Sequence, residues 1–165
     1  MFKMKKLLGF VIVLAVSLSA DAMSVKWQSF ATSAENGYTL YAVLGDTTTA
    51  WASLDQLKAA SIGGGSIGTI AKDGRDYWAS GTIKDSVVDK SHNFYLVIVK
   101  ADSTQYASSE IYAASSYVYN DASIPPETPP GVASFSVAGV AYTTFGTSPV
   151  PEPTSGLLVI VGLAG

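Results

Sequence analysis

Asn93-Phe94-Tyr95-Leu96-Val97-Ile98-Val99-Lys100-Ala101 decides how this chain is read. Phe94 to Val99 is an unbroken apolar run, rich in β-branched and aromatic side chains and too short for an amphipathic helix. Such a run predicts a central strand buried on both faces. Lys90-Ser91-His92-Asn93 reads as the polar turn that leads into it.

On either side of this run the sequence alternates with the period of a half-buried strand. Val25 to Thr32 sets Val25, Trp27, Ser29 and Ala31 against Lys26, Gln28, Phe30 and Thr32. Asn36-Gly37 then predicts a hairpin, because both residue types tolerate positive φ, with Tyr38 to Gly45 as the return strand. Ser66 to Lys72 predicts a further strand, turned by Asp73-Gly74 into Asp76 to Lys84. Gln105 to Ala113 alternates Tyr106, Ser108, Glu110 and Tyr112 against Ala107, Ser109, Ile111 and Ala113, and Ser116 to Asn120 extends it or forms another strand. Ile124 to Gly131 holds four prolines and reads as a loop. Val132 to Phe145 is the last β-like stretch, bent at Gly139. The good helix is Ser53 to Ala60, where Ser53 and Gln56 form a capping box and Gly63-Gly64-Gly65 ends it. Seven or eight short strands with turn punctuation predict a mainly β domain, a sandwich or partly open barrel with one short helix. No internal repeat is evident.

The two ends are of another kind. Lys3, Lys5 and Lys6 precede an uncharged apolar run from Leu7 to Leu18, and Ala20-Asp21-Ala22 supplies small residues at the positions a signal peptidase reads. The expectation is a secretory signal over residues 1–22, cleaved after Ala22. The run is too short for a membrane span, which needs roughly 20 apolar residues. Without residues 1–22, seven basic and twelve acidic residues remain, a formal charge of −5 on a body long enough for one domain. No basic patch points to nucleic acid. The chain has no cysteine, which excludes disulfides, zinc–thiolate sites, thiol nucleophiles and lipidation at a cysteine.

At the C-terminus, Val150-Pro151-Glu152-Pro153 stands just before the apolar run Leu157 to Gly165. In a chain with a signal peptide, this arrangement resembles the PEP-CTERM sorting-signal family. The resemblance covers residues 149–165 and the signal, and leaves the body at 23–148 unassigned. It implies bacterial export, recognition by an exosortase-type transpeptidase and association with cell-surface or matrix material. In that family a longer membrane helix and a basic tail follow the motif. Here the apolar run is nine residues, about 14 Å as a helix, and no basic tail follows. The expectation is a chain truncated at its C-terminus, the alternatives being a degenerate tag or a terminal strand after a proline-rich linker.

Gly63-Gly64-Gly65-Ser66-Ile67-Gly68 fits G-x-G-x-x-G, yet it follows a predicted helix and precedes β-like sequence, the reverse of a phosphate loop. His92 is the chain's one histidine, and no nucleophile elbow accompanies it. Asp73, Asp76, Asp85 and Asp89 are the densest acidic set. They lack an EF-hand pattern and are diluted by Arg75, Lys84 and Lys90, so they read as turn residues, with adventitious Ca²⁺ or a glycosidase pair as lesser readings. No metal, cofactor or catalytic residue is assigned. Of the three tryptophans, Trp27 and Trp78 read as strand residues. Trp51, in a Thr/Ala-rich connection, is the one expected to be exposed and to contact a ligand. These features predict an exported, non-enzymatic structural or adhesive protein of the cell surface. The alternatives are a carbohydrate-binding module, with surface polysaccharide as partner, and, more remotely, a small carboxylate-dependent hydrolase.

Overall fold

A computed structural model of the chain describes residues 23–85 and 88–147. The expected signal with Ala20 and Ala22, and the sorting motif Val150-Pro151-Glu152-Pro153, lie outside the described residues. No described helix is long and apolar enough to cross a membrane.

The described strands are β1 (Met23–Ala31), β2 (Thr39–Leu44), β3 (Gly68–Thr69), β4 (Ala71–Asp73), β5 (Asp76–Lys84), β6 (Phe94–Val99), β7 (Gln105–Ser108), β8 (Val118–Asn120), β9 (Val132–Ser136) and β10 (Thr143–Thr144), with one α-helix, α1 (Leu54–Ala60). They form two five-stranded sheets and no closed barrel. The first runs β4-β5-β1, and the far edge of β1 is shared end to end. β8 pairs antiparallel with Met23 to Val25, and β9 pairs parallel with Lys26 to Phe30. The second runs β10-β7-β6-β2-β3. The architecture is β-sandwich-like, as the alternating runs predict.

β6 occupies the centre of the second sheet and is buried along its whole length. Its alternate side chains enter two different clusters. Phe94, Leu96 and Ile98 pack between the sheets with Val25, Trp27, Leu40, Ala42, Val118 and Ala133. Tyr95, Val97 and Val99 pack on the other face with Tyr41, Val43, Trp51, Leu57 and Tyr106, beneath α1. A strand so placed must be apolar on both sides, which is why its sequence shows no alternation.

Several local predictions give way to longer-range pairing. Asn36-Gly37 closes no β1–β2 hairpin, since these strands lie in different sheets. A capping box intervenes: Thr32 caps the 3-10 turn Ser33–Glu35, and Glu35 Oε2 accepts from the Thr32 N–H at 2.7 Å. This ends β1 before the Asn-Gly pair, and Gly37 N–H donates instead to Ile70 O at 2.9 Å. Ser66 to Lys72 is not one strand. Gly68–Thr69 joins β2 and Ala71–Asp73 joins β5, so the chain crosses between sheets at the buried Ile70. Val132 to Phe145 divides likewise into β9 and β10, in opposite sheets. The chain turns between them at Gly139, whose φ of +77° disfavours any side chain.

Gln105 to Ala113 is strand only as far as Ser108. Val97 pairs with Ser108 and Phe94 with Tyr112, a register slipped by one residue. The Ser109 hydroxyl fills the gap by accepting from Leu96 N–H at 2.9 Å. A one-residue bulge reverses the faces beyond it. Tyr106 therefore packs beneath α1, whereas Tyr112 lies in the core between the sheets. The helix cap is half as expected: Ser53 Oγ accepts from Gln56 N–H at 3.2 Å, but Gln56 Oε1 reaches Ala52 N–H at 2.8 Å rather than Ser53.

Two glycines are explained by a tryptophan. Trp27, 2 % exposed, lies between β3 and β5. A Cβ at Gly68 would stand 2.6 Å from its Cη2, and one at Gly81 would stand 3.1 Å from its Nε1.

Candidate functional site

The outer face of the first sheet follows from the alternation of β1. With Val25, Trp27 and Ser29 turned inward, Lys26, Gln28 and Phe30 must face solvent. Their neighbours on β5 are Thr82, Ser80 and Trp78, and on β9 they are Val132, Ser134 and Ser136. The result is a platform of three cross-strand rows. Gln28 Nε2 donates to Ser134 Oγ at 2.7 Å, which fixes the middle row. The third row brings two large aromatics side by side, Phe30, 48 % exposed, and the half-buried Trp78.

Trp78 also separates two hollows. One, of about 400 Å³, is lined by Phe30, Trp78, Asp73 and Asp76. The other, of about 320 Å³, runs along Lys26, Gln28, Ser80 and Thr82 to Val132. Asp73 and Asp76 are direct partners across the β4–β5 hairpin. Asp73 Oδ2 accepts from the Trp78 indole N–H at 3.1 Å, tying the ring to the hairpin. The arrangement offers ring faces for stacking, with amide, hydroxyl, ammonium and carboxylate groups around them. It is open to water and suits binding to an extended ligand.

Trp51 is corrected from an exposed residue to a buried one, 4 % exposed. Its ring packs with Leu57 and the outward side chains of β2 and β6, and its backbone N–H donates to the Tyr106 hydroxyl at 3.0 Å. The connection that looked solvated is the cover over the second sheet's apolar face. The hollow beside Trp51 measures about 70 Å³, room for a few waters at roughly 30 Å³ each and too small for a sugar ring.

The remaining candidates separate. His92 Nδ1 lies 2.8 Å from Asp89 Oδ1 and 3.2 Å from Ser91 Oγ, within one exposed turn. A catalytic triad needs serine and aspartate on opposite ring nitrogens, and here both meet Nδ1. Asp89 is held down to about 2 by the hydroxyl and N–H of Ser91, then by His92. Asp85 closes the end of β5, where its N–H donates to Met23 O, so the acidic set does not assemble as a whole. Among the described residues no group of three or more His, Asp or Glu is placed to hold a metal ion. Gly63 and Gly64 form a turn after α1, consistent with the reading against a phosphate loop.

Sequence reasoning missed Phe30 as a site residue. The signal was present in the strand pattern, since Phe30 is the lone aromatic on the polar side of β1. No protein-family model matches the chain, and searches of the curated proteins and of the solved structures likewise find no match.

Proposed function

We propose that this chain is an exported, surface-associated adhesive protein without catalytic activity, and that it holds polysaccharide on the outer face of its first sheet. The observation that carries the binding reading is the Phe30–Trp78 pair. It stays solvent-facing beside Gln28, Ser80 and Asp73, while Trp27 and Trp51 are buried. Aromatic rings present flat apolar faces to the C–H faces of sugar rings, and the surrounding polar groups take the hydroxyls. Export and surface retention rest on the signal at residues 1–22 and on the resemblance of Val150-Pro151-Glu152-Pro153 to an exosortase-type sorting motif. Signal peptidase and an exosortase-type enzyme are the processing partners of this reading.

The test is a glycan array probed with the full chain and with Trp78→Ala. Binding that falls at least tenfold in the variant supports the proposal, and an array without binding removes it. Cell fractionation tests the other half: retention at the surface should be lost when Pro151-Glu152-Pro153 is replaced by alanines. Asp73 and Asp76, beside the platform, are the carboxylates a hydrolase would use. Release of reducing ends from a bound glycan, abolished by Asp73→Asn, would replace the adhesive reading with that one.

A further inference from the structure

The geometry points to a cationic glycan, a polysaccharide with free amino groups, as the ligand of the Phe30–Trp78 platform. This deepens the proposed function and rests on it. The argument starts from charge. Asp73 and Asp76 stand directly opposite each other on β4 and β5, at the end of the face that carries Trp78. Like charges in such cross-strand positions repel. Among the described residues neither carboxylate takes part in an ion pair, although Lys84, Lys90 and His92 all do elsewhere. Lys72 pairs with Tyr77, one residue out of phase with the two aspartates, so it belongs to the opposite face of the hairpin, and Arg75, in the turn between the aspartates, forms no ion pair with either among the described residues.

The hollow between the carboxylates and the aromatic pair, about 400 Å³, has the size of a site for one or two sugar rings and is walled by Phe30, Trp78, Asp73 and Asp76. Every wall favours a cation. Ring faces attract positive charge through their quadrupole, and a carboxylate pair gains charge-assisted hydrogen bonds from an ammonium group. The indole N–H already occupies one Asp73 oxygen, which holds the carboxylate beside the ring. A pyranose stacked on Trp78 would direct an amino substituent to this pair. A neutral or acetylated sugar would gain the stacking and leave the two charges uncompensated.

The experiment uses the full chain and two probes of equal length, a β-1,4-linked glucosamine oligomer and its fully N-acetylated counterpart. Binding is measured by calorimetry at mildly acid pH, where sugar amines are protonated. The free-amine oligomer should bind about tenfold more tightly than the acetylated one. The double variant Asp73→Asn/Asp76→Asn should lose that preference and keep the affinity for the acetylated oligomer. Asp55→Asn/Glu110→Gln removes the same formal charge at exposed positions elsewhere and should keep the preference. Equal binding of both oligomers, or a preference lost equally in the Asp55/Glu110 variant, overturns the cationic-ligand inference and leaves the glycan reading standing. Binding of neither oligomer overturns the inference, and a blank array beside it removes the glycan reading as well. Circular dichroism of each variant reports whether the fold is retained.

Discussion

In the second sheet, β6 sends Phe94, Leu96 and Ile98 into the core and Tyr95, Val97 and Val99 into a second apolar layer closed by α1, Trp51 and Phe145. In the first sheet, β1 buries Val25, Trp27 and Ser29 and leaves Lys26, Gln28 and Phe30 to solvent. Among the described residues, the outer face of the second sheet is covered, whereas that of the first is covered only at the end where Ser24 pairs with Tyr119, both buried. The covered face is apolar wherever it is touched. The open face is polar except where Phe30, Trp78, Ala71 and Val132 interrupt it. Aromatics left partly exposed on an otherwise polar sheet face gain little from the fold itself, and that marks the open face as the one to test for ligands.

The largest expected effect lies on the covered side. Trp51→Ala should cost about 3–5 kcal/mol in urea unfolding, since it removes the ring that closes the layer over β2 and β6. A loss below about 1 kcal/mol would mean that the cover is dispensable and that the two outer faces are less different than described.

Between the sheets, Gly68→Ala should destabilise by about 1–3 kcal/mol, because its Cβ would meet the Trp27 ring at 2.6 Å. Pairing it with Trp27→Phe, which clears that space, should bring the two costs below their sum in a double-mutant cycle.

Phe30→Ala, on the open face, should change stability by less than about 1 kcal/mol, while weakening glycan binding. A larger loss of stability would make Phe30 a structural residue and blur the contrast with Trp51.

The smallest effect concerns the proline loop. Asn120 N–H donates to Glu127 Oε2 at 2.9 Å, and Lys90 Nζ lies 3.2 Å from the same oxygen. These contacts, the Asn120 N–H first, lower the Glu127 carboxyl from its ordinary value of 4.5. A depressed value stabilises the folded state above the unfolded value and loses that contribution as pH falls through the folded one. Wild type should therefore lose slightly more thermal stability than Glu127→Gln on acidification below 4.5. Parallel melting profiles for the two proteins would remove Glu127 as the loop's fastening.

Much of this was legible in local patterns. The alternation at Val25 to Thr32 separated the side chains of β1 into the two groups that the structure turns inward and outward, and the apolar run at Phe94 to Val99 placed β6 at a sheet centre. Ser53 marked the start of α1. The candidate site was half legible. Trp78 reads as a strand residue and Asp73 and Asp76 read only as turn residues, while the exposed tryptophan expected from the sequence is Trp51, which is buried. A Thr/Ala-rich connection has no period from which its own burial can be read. Its burial depends on the apolar face that β2 and β6 present to it.

By itself, then, the sequence determined closely where β1, β5, β6 and α1 lie and which side chains of β1 share a face, because these follow from periodicities that repeat every two residues or every turn. Only the tertiary structure decided which strands are neighbours. β1 pairs with β9, and Gln28 bonds Ser134, 106 residues away. The Thr32–Glu35 capping box displaces the Asn-Gly hairpin, and one extra residue after Ser108 turns Tyr106 and Tyr112 to opposite faces. Such outcomes rest on differences between competing long-range pairings, each stabilised by what it buries and not by the preferences of the residues that form it.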